Sequence, residues 1–317
     1  MAFKWMRRVL KALAPAALVA LAACGGGTIE SQFKPTRIAV FGDALSDMGN
    51  KGTRYTVNDA TAIWVKLMAL NYNVALDKSA NGGADYAWGN ARVVLKPDAA
   101  GNNATPTVKE QIDAFLATNP VLGPTDLIVI NGGISDIIVQ MQALRAGTIT
   151  QDQFIANVQQ AGRDLAAQAK RLEAAGASHI AVMGVPDLRA TPWAVMINQQ
   201  PLLSTASTDF NDALLVDLVN EGQKMLYIDL ALLFNLMASN PGAYAMVDGA
   251  NVVCTSVDPG PGIGIGTNQV NSSLCAADSI LPGATYSLYL WADAVYPTPS
   301  GHSAIANYTF QRITSRW

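Results

Sequence analysis

Short apolar runs alternate with longer stretches of helical periodicity from residue 35 onward, and no other feature of the chain restricts its fold as strongly. The runs are 37–41 (RIAVF), 127–130 (LIVI), 180–185 (IAVMGV) and 225–228 (MLYI). Each is continuously apolar rather than alternating, the pattern of a strand buried on both faces. Between and after them the spacing predicts helices. One covers 59–70, with Ala60, Ile63, Trp64, Leu67 and Met68 on a single face. A long one covers 151–175, with Phe154, Val158, Ala161, Leu165, Ala169 and Leu172 aligned and a stop at Gly176. Others cover 209–220 and 300–314. Strands alternating with helices imply a three-layer α/β/α fold with a central parallel sheet. In such sheets a site forms beyond the carboxyl ends of the strands. Residues with chemical potential stand there: Asp43 and Ala44, the segment 132–136, and Asp187.

The first 23 residues belong to a different class of segment. Lys4, Arg7, Arg8 and Lys11 precede the apolar stretch 12–23, which is too short to span a bilayer comfortably and has the length of a signal-peptide core. It ends in Leu21-Ala22-Ala23-Cys24, which resembles a bacterial lipobox, followed by the tether Gly25-Gly26-Gly27. The resemblance implies lipidation of Cys24, a tether over 24–35 and a domain over 36–317. With no aspartate after the cysteine, it also implies the outer membrane of a Gram-negative bacterium. The whole chain carries a formal charge of −3. Loss of the leader leaves 17 basic and 24 acidic residues, net −7. With no basic run, nucleic acid is excluded as a partner class.

Four short blocks carry the chemistry: 41–50 (FGDALSDMGN), 85–92 (DYAWGNAR), 131–136 (NGGISD) and 293–302 (DAVYPTPSGH). Together they resemble the motifs of GDSL (SGNH) ester hydrolases, with their flavodoxin-like α/β fold, and the resemblance extends over most of the chain from Arg37. In that family the first block carries a nucleophilic serine, and here Ala44 stands in its place. Ser46 lies two residues on and is expected to serve as a strand-to-helix cap, replacement of the missing nucleophile being its other reading. Gly89 matches the glycine that offers a backbone N–H to the oxyanion. Ser135 stands where the family's oxyanion asparagine would be, with Gly133 and Asp136 beside it serving the turn. Asp293 matches the aspartate that orients the catalytic histidine, but that histidine's position holds Tyr296. A phenol with an ordinary pKa of about 10 cannot act as a neutral imidazole near pH 7. His302 matches the family's second, structural histidine, and taking over as base is its other reading. His179, the only other histidine, reads as structural.

The resemblance therefore implies an ester hydrolase family, and the substituted residues imply lost or strongly impaired catalysis. Such a lipoprotein would bind an ester, lipid, glycan or protein partner in its cleft. The competing reading is an active acyl hydrolase, with engineered substitutions or a rebuilt triad. No HExxH or CxxC pattern supports a metal, and no cofactor is expected.

The segment 247–281 interrupts the α/β pattern. It contains Cys254, Cys275 and the glycine-rich run 259–267 (PGPGIGIGT). The run lacks the lysine, preceding strand and following helix of a phosphate loop. It reads as a surface insertion near the site. Export to an oxidising compartment favours a Cys254–Cys275 disulfide, worth roughly 3 kcal/mol for a loop of this length. Two buried free thiols are the alternative.

Overall fold

The computed structural model describes residues 33–317. The leader, the lipobox and Cys24 lie outside the described residues. Strand β1 is Arg37–Phe41, β2 Asp126–Ile130, β3 Ile180–Met183 and β4 Met225–Ile228, and they form one parallel sheet in the order β1-β2-β3-β4. The segment around Asp85 runs along the free edge of β1. Val40 donates its N–H to Ala84 and accepts one from Tyr86. Counted as a residual strand, this segment completes the flavodoxin-like order, in which the second chain segment lies outside the first.

Side-chain alternation along the strands explains the layers. Ala39, Phe41, Ile128, Ile130, Ile180 and Val182 join one buried cluster. Ile38, Val40, Leu127, Val129, Ala181 and Met183 join the other. The first face is covered by α2 (Val108–Ala117), α3 (Ile134–Arg145), α4 (Gln151–Ala174) and α6 (Gln200–Asp217). The second is covered by α1 (Trp64–Asn71), α7 (Leu230–Ser239) and α8 (Pro299–Arg316). A short helix, α5 (Pro192–Met196), leads into α6.

Strands β1 and β4 coincide with the apolar runs, and α4 closely matches its periodic stretch. Two helices differ. The helix expected from residue 59 begins at Trp64, because the Asp59 carboxylate binds the N–H and hydroxyl of Thr61 and holds that segment in a turn. Helix α6 begins at Gln200, nine residues before the expected start, with Pro201 in its first turn, where no N–H is needed. Helices α2, α3 and α7 have no counterpart in the sequence expectations.

The segment after α7 forms β5 (Asp248–Val252), β6 (Val257–Asp258) and β7 (Gln269–Val270), followed by β8 (Tyr289–Trp291). Strand β5 pairs parallel with β8, and β6 with β7 antiparallel. Cys254 and Cys275 are joined in a disulfide with Cα atoms 5.9 Å apart.

Helices α4 and α6 pack at very short range where α4 carries Gly162. A Cβ there would lie 2.3 Å from the carbonyl oxygen of Phe210. In an isolated helix Gly→Ala gains about 1 kcal/mol. Here Gly162→Ala is expected to destabilise by roughly 2 kcal/mol through overpacking, measured by urea unfolding. A stability gain would show that the two helices separate freely.

Candidate active site

The carboxyl end of β1 opens into a tight turn rather than a helix. The Asp43 carbonyl accepts the N–H groups of Ser46 and Asp47. The Asp47 carboxylate then gathers four backbone N–H groups: Gly49 and Gly89 at 2.8 Å, Asn50 at 2.6 Å and Lys51 at 3.4 Å. Asn50 completes the join by donating to the carbonyls of Asp85 and Ala87 and accepting from Ala80. In return, Asp85 accepts the N–H of Met48. The polar residues of the first block thus bind the second block to it. The cost is visible in the acids themselves: burial pushes Asp47 up despite its donors, and Asp85 well up.

This join also fixes Gly89. Its N–H, the expected oxyanion donor, is committed to Asp47, and the Tyr55 ring lies so close that a Cβ on Gly89 would fall 2.2 Å from it. Tyr55 was not singled out by the sequence, because nothing local distinguishes a buried aromatic in a loop.

Ala44 is buried in the same cluster as Tyr55, Ala99 and Tyr296. It carries no nucleophile, so a serine-type acyl transfer has no attacking atom at this position. Ser46 is not a helix cap, since no helix follows. Its hydroxyl donates to Asn131 Oδ1 at 2.5 Å, and Asn131 Nδ2 donates to Asp43 Oδ1 at 2.8 Å. Asn131 therefore bridges the ends of β1 and β2.

Asp43, Ser135 and Tyr296 carry buried polar atoms without hydrogen-bond partners: Asp43 Oδ2, Ser135 Oγ and Tyr296 Oη. Ser135 sits in the first turn of α3. Burial pushes the Tyr296 phenol well above its usual range, with the charge of Asp43 next in effect. Ser135 lies near enough to oppose that shift without making a geometrically acceptable hydrogen bond. The Tyr296 ring meets Tyr55 edge-on at 5.4 Å.

Asp293 faces its own loop. Oδ1 accepts the backbone N–H groups of Val295 and Tyr296 at 2.8 and 2.7 Å, and Oδ2 accepts that of Ser272 at 3.0 Å. A carboxylate used this way holds a turn and ties the insertion to it. Asp136 is similarly occupied, by Arg92 Nε at 2.9 Å and the N–H of Val93.

His302 is buried in the first turn of α8, and its Nδ1 faces the N–H of Trp64 at 3.5 Å. Burial pushes it down to about 3, so it is neutral at ordinary pH. Its other neighbours are the Tyr55 backbone and Arg54. His179 stacks on Phe33 at 4.0 Å and meets Trp317 edge-on, beside the amino end of β3. That is the end of the sheet opposite the site.

The glycine-rich run lies largely at the surface, as expected, but its centre at 263–265 is buried. Ile263 and Ile265 are buried in the large cluster that fills the first face of the sheet. Asn90 Nδ2 donates to the Gly262 carbonyl at 2.9 Å, so the run is seated on the second block. Gly264 passes so close to residue 99 that a Cβ would lie 2.4 Å from the Ala99 carbonyl, and its φ of +89° suits glycine alone. The alternation of isoleucine with glycine was the available signal. Ile263 and Ile265 are the large apolar side chains of a run otherwise made of glycine, proline and threonine, and so have a reason to be buried. Their burial is worth roughly 1.5–3 kcal/mol each.

Asp43 yields a prediction about pH. Burial outweighs its hydrogen bonds and pushes it up to about 6 from 3.8. An acid raised on folding stabilises fully below its unfolded pKa, and that contribution is lost as pH rises through about 6. His302, depressed from 6.5 to about 3, acts in the opposite sense, losing its contribution as pH falls. The two slopes overlap, so a difference between proteins is needed to separate them. Asp43→Asn is expected to gain about 2 kcal/mol relative to the unsubstituted protein between pH 4 and pH 7, read from urea unfolding at each pH. A pH-independent difference would refute the assignment.

Comparison with known proteins agrees with this architecture. The family model for GDSL-like Lipase/Acylhydrolase matches residues 38–309. An uncharacterized protein in the trpE-trpG intergenic region of Pseudomonas putida is 26% identical over 308 residues, covering 88% of this chain and 48% of that protein. Esterase EstA of Pseudomonas aeruginosa is 28% identical over 142 residues, covering 44% of this chain and 20% of its own. The chain thus spans about half the length of the first relative and a fifth of the second. Two solved structures are also similar. A lipolytic protein of the G-D-S-L family from Veillonella parvula DSM 2008 shares 12% identity over 87% of this chain and 96% of that one, with a TM-score of 0.46. Phospholipase A1 from Streptomyces albidoflavus NA297 shares 15% over 88% and 99%, with a TM-score of 0.45.

Proposed function

The chain belongs to the GDSL-like lipase/acylhydrolase family, and from that premise we propose that it is a member in which ester cleavage has been lost and the fold has been kept for binding. The observation that carries this reading is the pair Ala44 and Tyr296. One removes the attacking oxygen, and the other puts a high-pKa phenol where a base is required. The surroundings support it. The Asp293 carboxylate is used by backbone N–H groups, and the Gly89 N–H is used by Asp47. A triad acts as a unit, and without it only the roughly 10³–10⁴-fold due to the oxyanion site and binding remains. Here the oxyanion donors are also compromised. The ligand class proposed is an ester, lipid or glycan, or a partner protein.

The test is hydrolysis of short-chain nitrophenyl esters. The unsubstituted protein and Ala44→Ser are expected to be inactive, because a serine without a base does not react. Ala44→Ser/Tyr296→His/Ser135→Asn is the variant expected to regain turnover. Purified unsubstituted protein that turns over an ester would overturn the proposal.

The second part of the proposal concerns location: an exported protein anchored by lipid on Cys24 to the outer membrane. It rests on the sequence of residues 1–27. Cells given labelled palmitate should label this protein, and Cys24→Ser should abolish the label. Undiminished labelling in that variant would rule out the anchor.

A further inference from the structure

Helices α3 and α4 leave a cavity of about 130 Å³ between them, beside the end of the second block. It is lined by Arg92, by Asp136 and Gln140 of α3, and by Asn157, Gln160 and Asp164 of α4. Asp136 and Gln140 stand four residues apart, and the three residues of α4 follow at spacings of three and four, so each helix turns one polar face to the cavity. The Arg92 side chain is only 5% exposed. Its Nε donates to Asp136 at 2.9 Å, and among the described residues Nη1 and Nη2 have no hydrogen-bond partner. Buried donors left unmet cost about 1–3 kcal/mol, and more on a charged group. The α4 wall carries the complementary groups. Asp164 accepts Gln160 Nε2 at 2.8 Å and has no ion pair among the described residues. Arg163, next to it in the chain, is held by Gln160 Oε1. Asn157 Nδ2 donates to Gln140 Oε1 at 2.8 Å, which leaves Gln140 Nε2 as a donor and Asn157 Oδ1 as an acceptor.

We propose that this cavity binds a small zwitterion, an α-amino acid of the size of free glycine or alanine, with its carboxylate on Arg92 and its ammonium on Asp164. Charge is the first argument. One guanidinium faces two carboxylates, Asp136 and Asp164. A plain anion would meet that negative excess, and a plain amine would leave the Nη groups of Arg92 unmet. A molecule with both charges satisfies both walls. A planar carboxylate also matches the guanidinium fork through two parallel hydrogen bonds. Spacing is the second argument. Arg92 and Asp164 line one cavity yet form no ion pair with each other, so a bridging molecule has a gap to span. The gap is short on the scale of charge. Burial pushes Asp136 up, Arg92 opposes that, and the charge of Asp164 is near enough to add to it. Size is the third argument. The cavity has the liquid volume of about four water molecules, which suits the backbone of an amino acid and excludes a sugar ring. A short side chain has room to point outward, since Asn157 and Gln160 are exposed. A neutral polyol could reach both walls but would leave the Asp164 charge uncompensated.

Isothermal titration calorimetry of the purified protein tests this with free glycine, L-alanine, acetate, methylamine and glycerol. Glycine and L-alanine are expected to bind at one site. Acetate and methylamine each lack one charged contact and should bind about tenfold more weakly or worse, and glycerol, which lacks both, weaker still. Asp164→Asn keeps the side-chain shape and should lower glycine affinity about tenfold, with acetate affinity unchanged or raised. Gln140→Glu sets a carboxylate beside that of the ligand and should weaken glycine and acetate together. Both positions are half-buried on helix faces, so the fold is expected to persist in both variants, with urea unfolding as the check. Absence of binding by both amino acids would mean that water alone fills the cavity, and would overturn the proposal. Acetate or methylamine binding as tightly as glycine would overturn the zwitterion. Glycine affinity unaltered in both variants would place its binding elsewhere and overturn the site. None of these readouts involves an ester, so the result stands apart from the proposed loss of catalysis.

Discussion

The Asp47 carboxylate is the interaction on which the arrangement of the site depends. It gathers N–H groups from the turn after β1 and from Gly89, two segments that meet only in the folded chain. Buried backbone donors need partners, and a carboxylate with four acceptor sites can satisfy several at once. Its own burial is unfavourable, as its raised pKa shows, and the join compensates by fixing two loops that would otherwise leave their N–H groups unpaired. Gly89, Tyr55 and, through Tyr55, Tyr296 take their places from this join.

The same join explains how a catalytic motif can outlast its chemistry. Within 41–50 the residues that bind backbone are Asp43, Asp47 and Asn50, and all are present. Position 44 has no such duty, so alanine there costs the fold nothing. Asp293 is a parallel case. Its carboxylate holds the turn at 293–296 and the N–H of Ser272 whether or not a histidine follows. At position 296 the change is less neutral. The tyrosine fills space with a ring and leaves its hydroxyl buried without a partner. A buried unpaired hydroxyl costs about 1–3 kcal/mol, and that cost is offset by packing against Tyr55 and the cluster around Ala44.

Much of the fold was legible in the chain because strands buried on both faces must be continuously apolar. The central strands and α4 follow from that rule and from helical spacing. The less legible elements have identifiable reasons. Helix α6 begins early because Pro201 is favourable in a first turn, although it reads as a breaker in isolation. Helix α1 begins late because the Asp59 side chain captures Thr61 first. Within the glycine-rich run the burial of 263–265 was not legible, because the composition is that of a loop. It becomes evident only once Asn90 and Ala99 are brought beside the run.

The sequence by itself determined the layered α/β architecture, the family and the absence of a nucleophile at 44 and of an imidazole at 296. Each of these is a matter of residue type and spacing, so no contact is needed to establish it. Only the tertiary structure decided which groups meet: the Gly89 N–H is used by Asp47, the Ser46 hydroxyl by Asn131, Asp293 takes three backbone N–H groups, and His302 Nδ1 faces Trp64. It alone showed Ile263 and Ile265 buried and Gly264 passing close to Ala99. The physical reason is that a hydrogen-bonding group can serve chemistry only if the fold has not already used it, and its partners come from segments tens to hundreds of residues away.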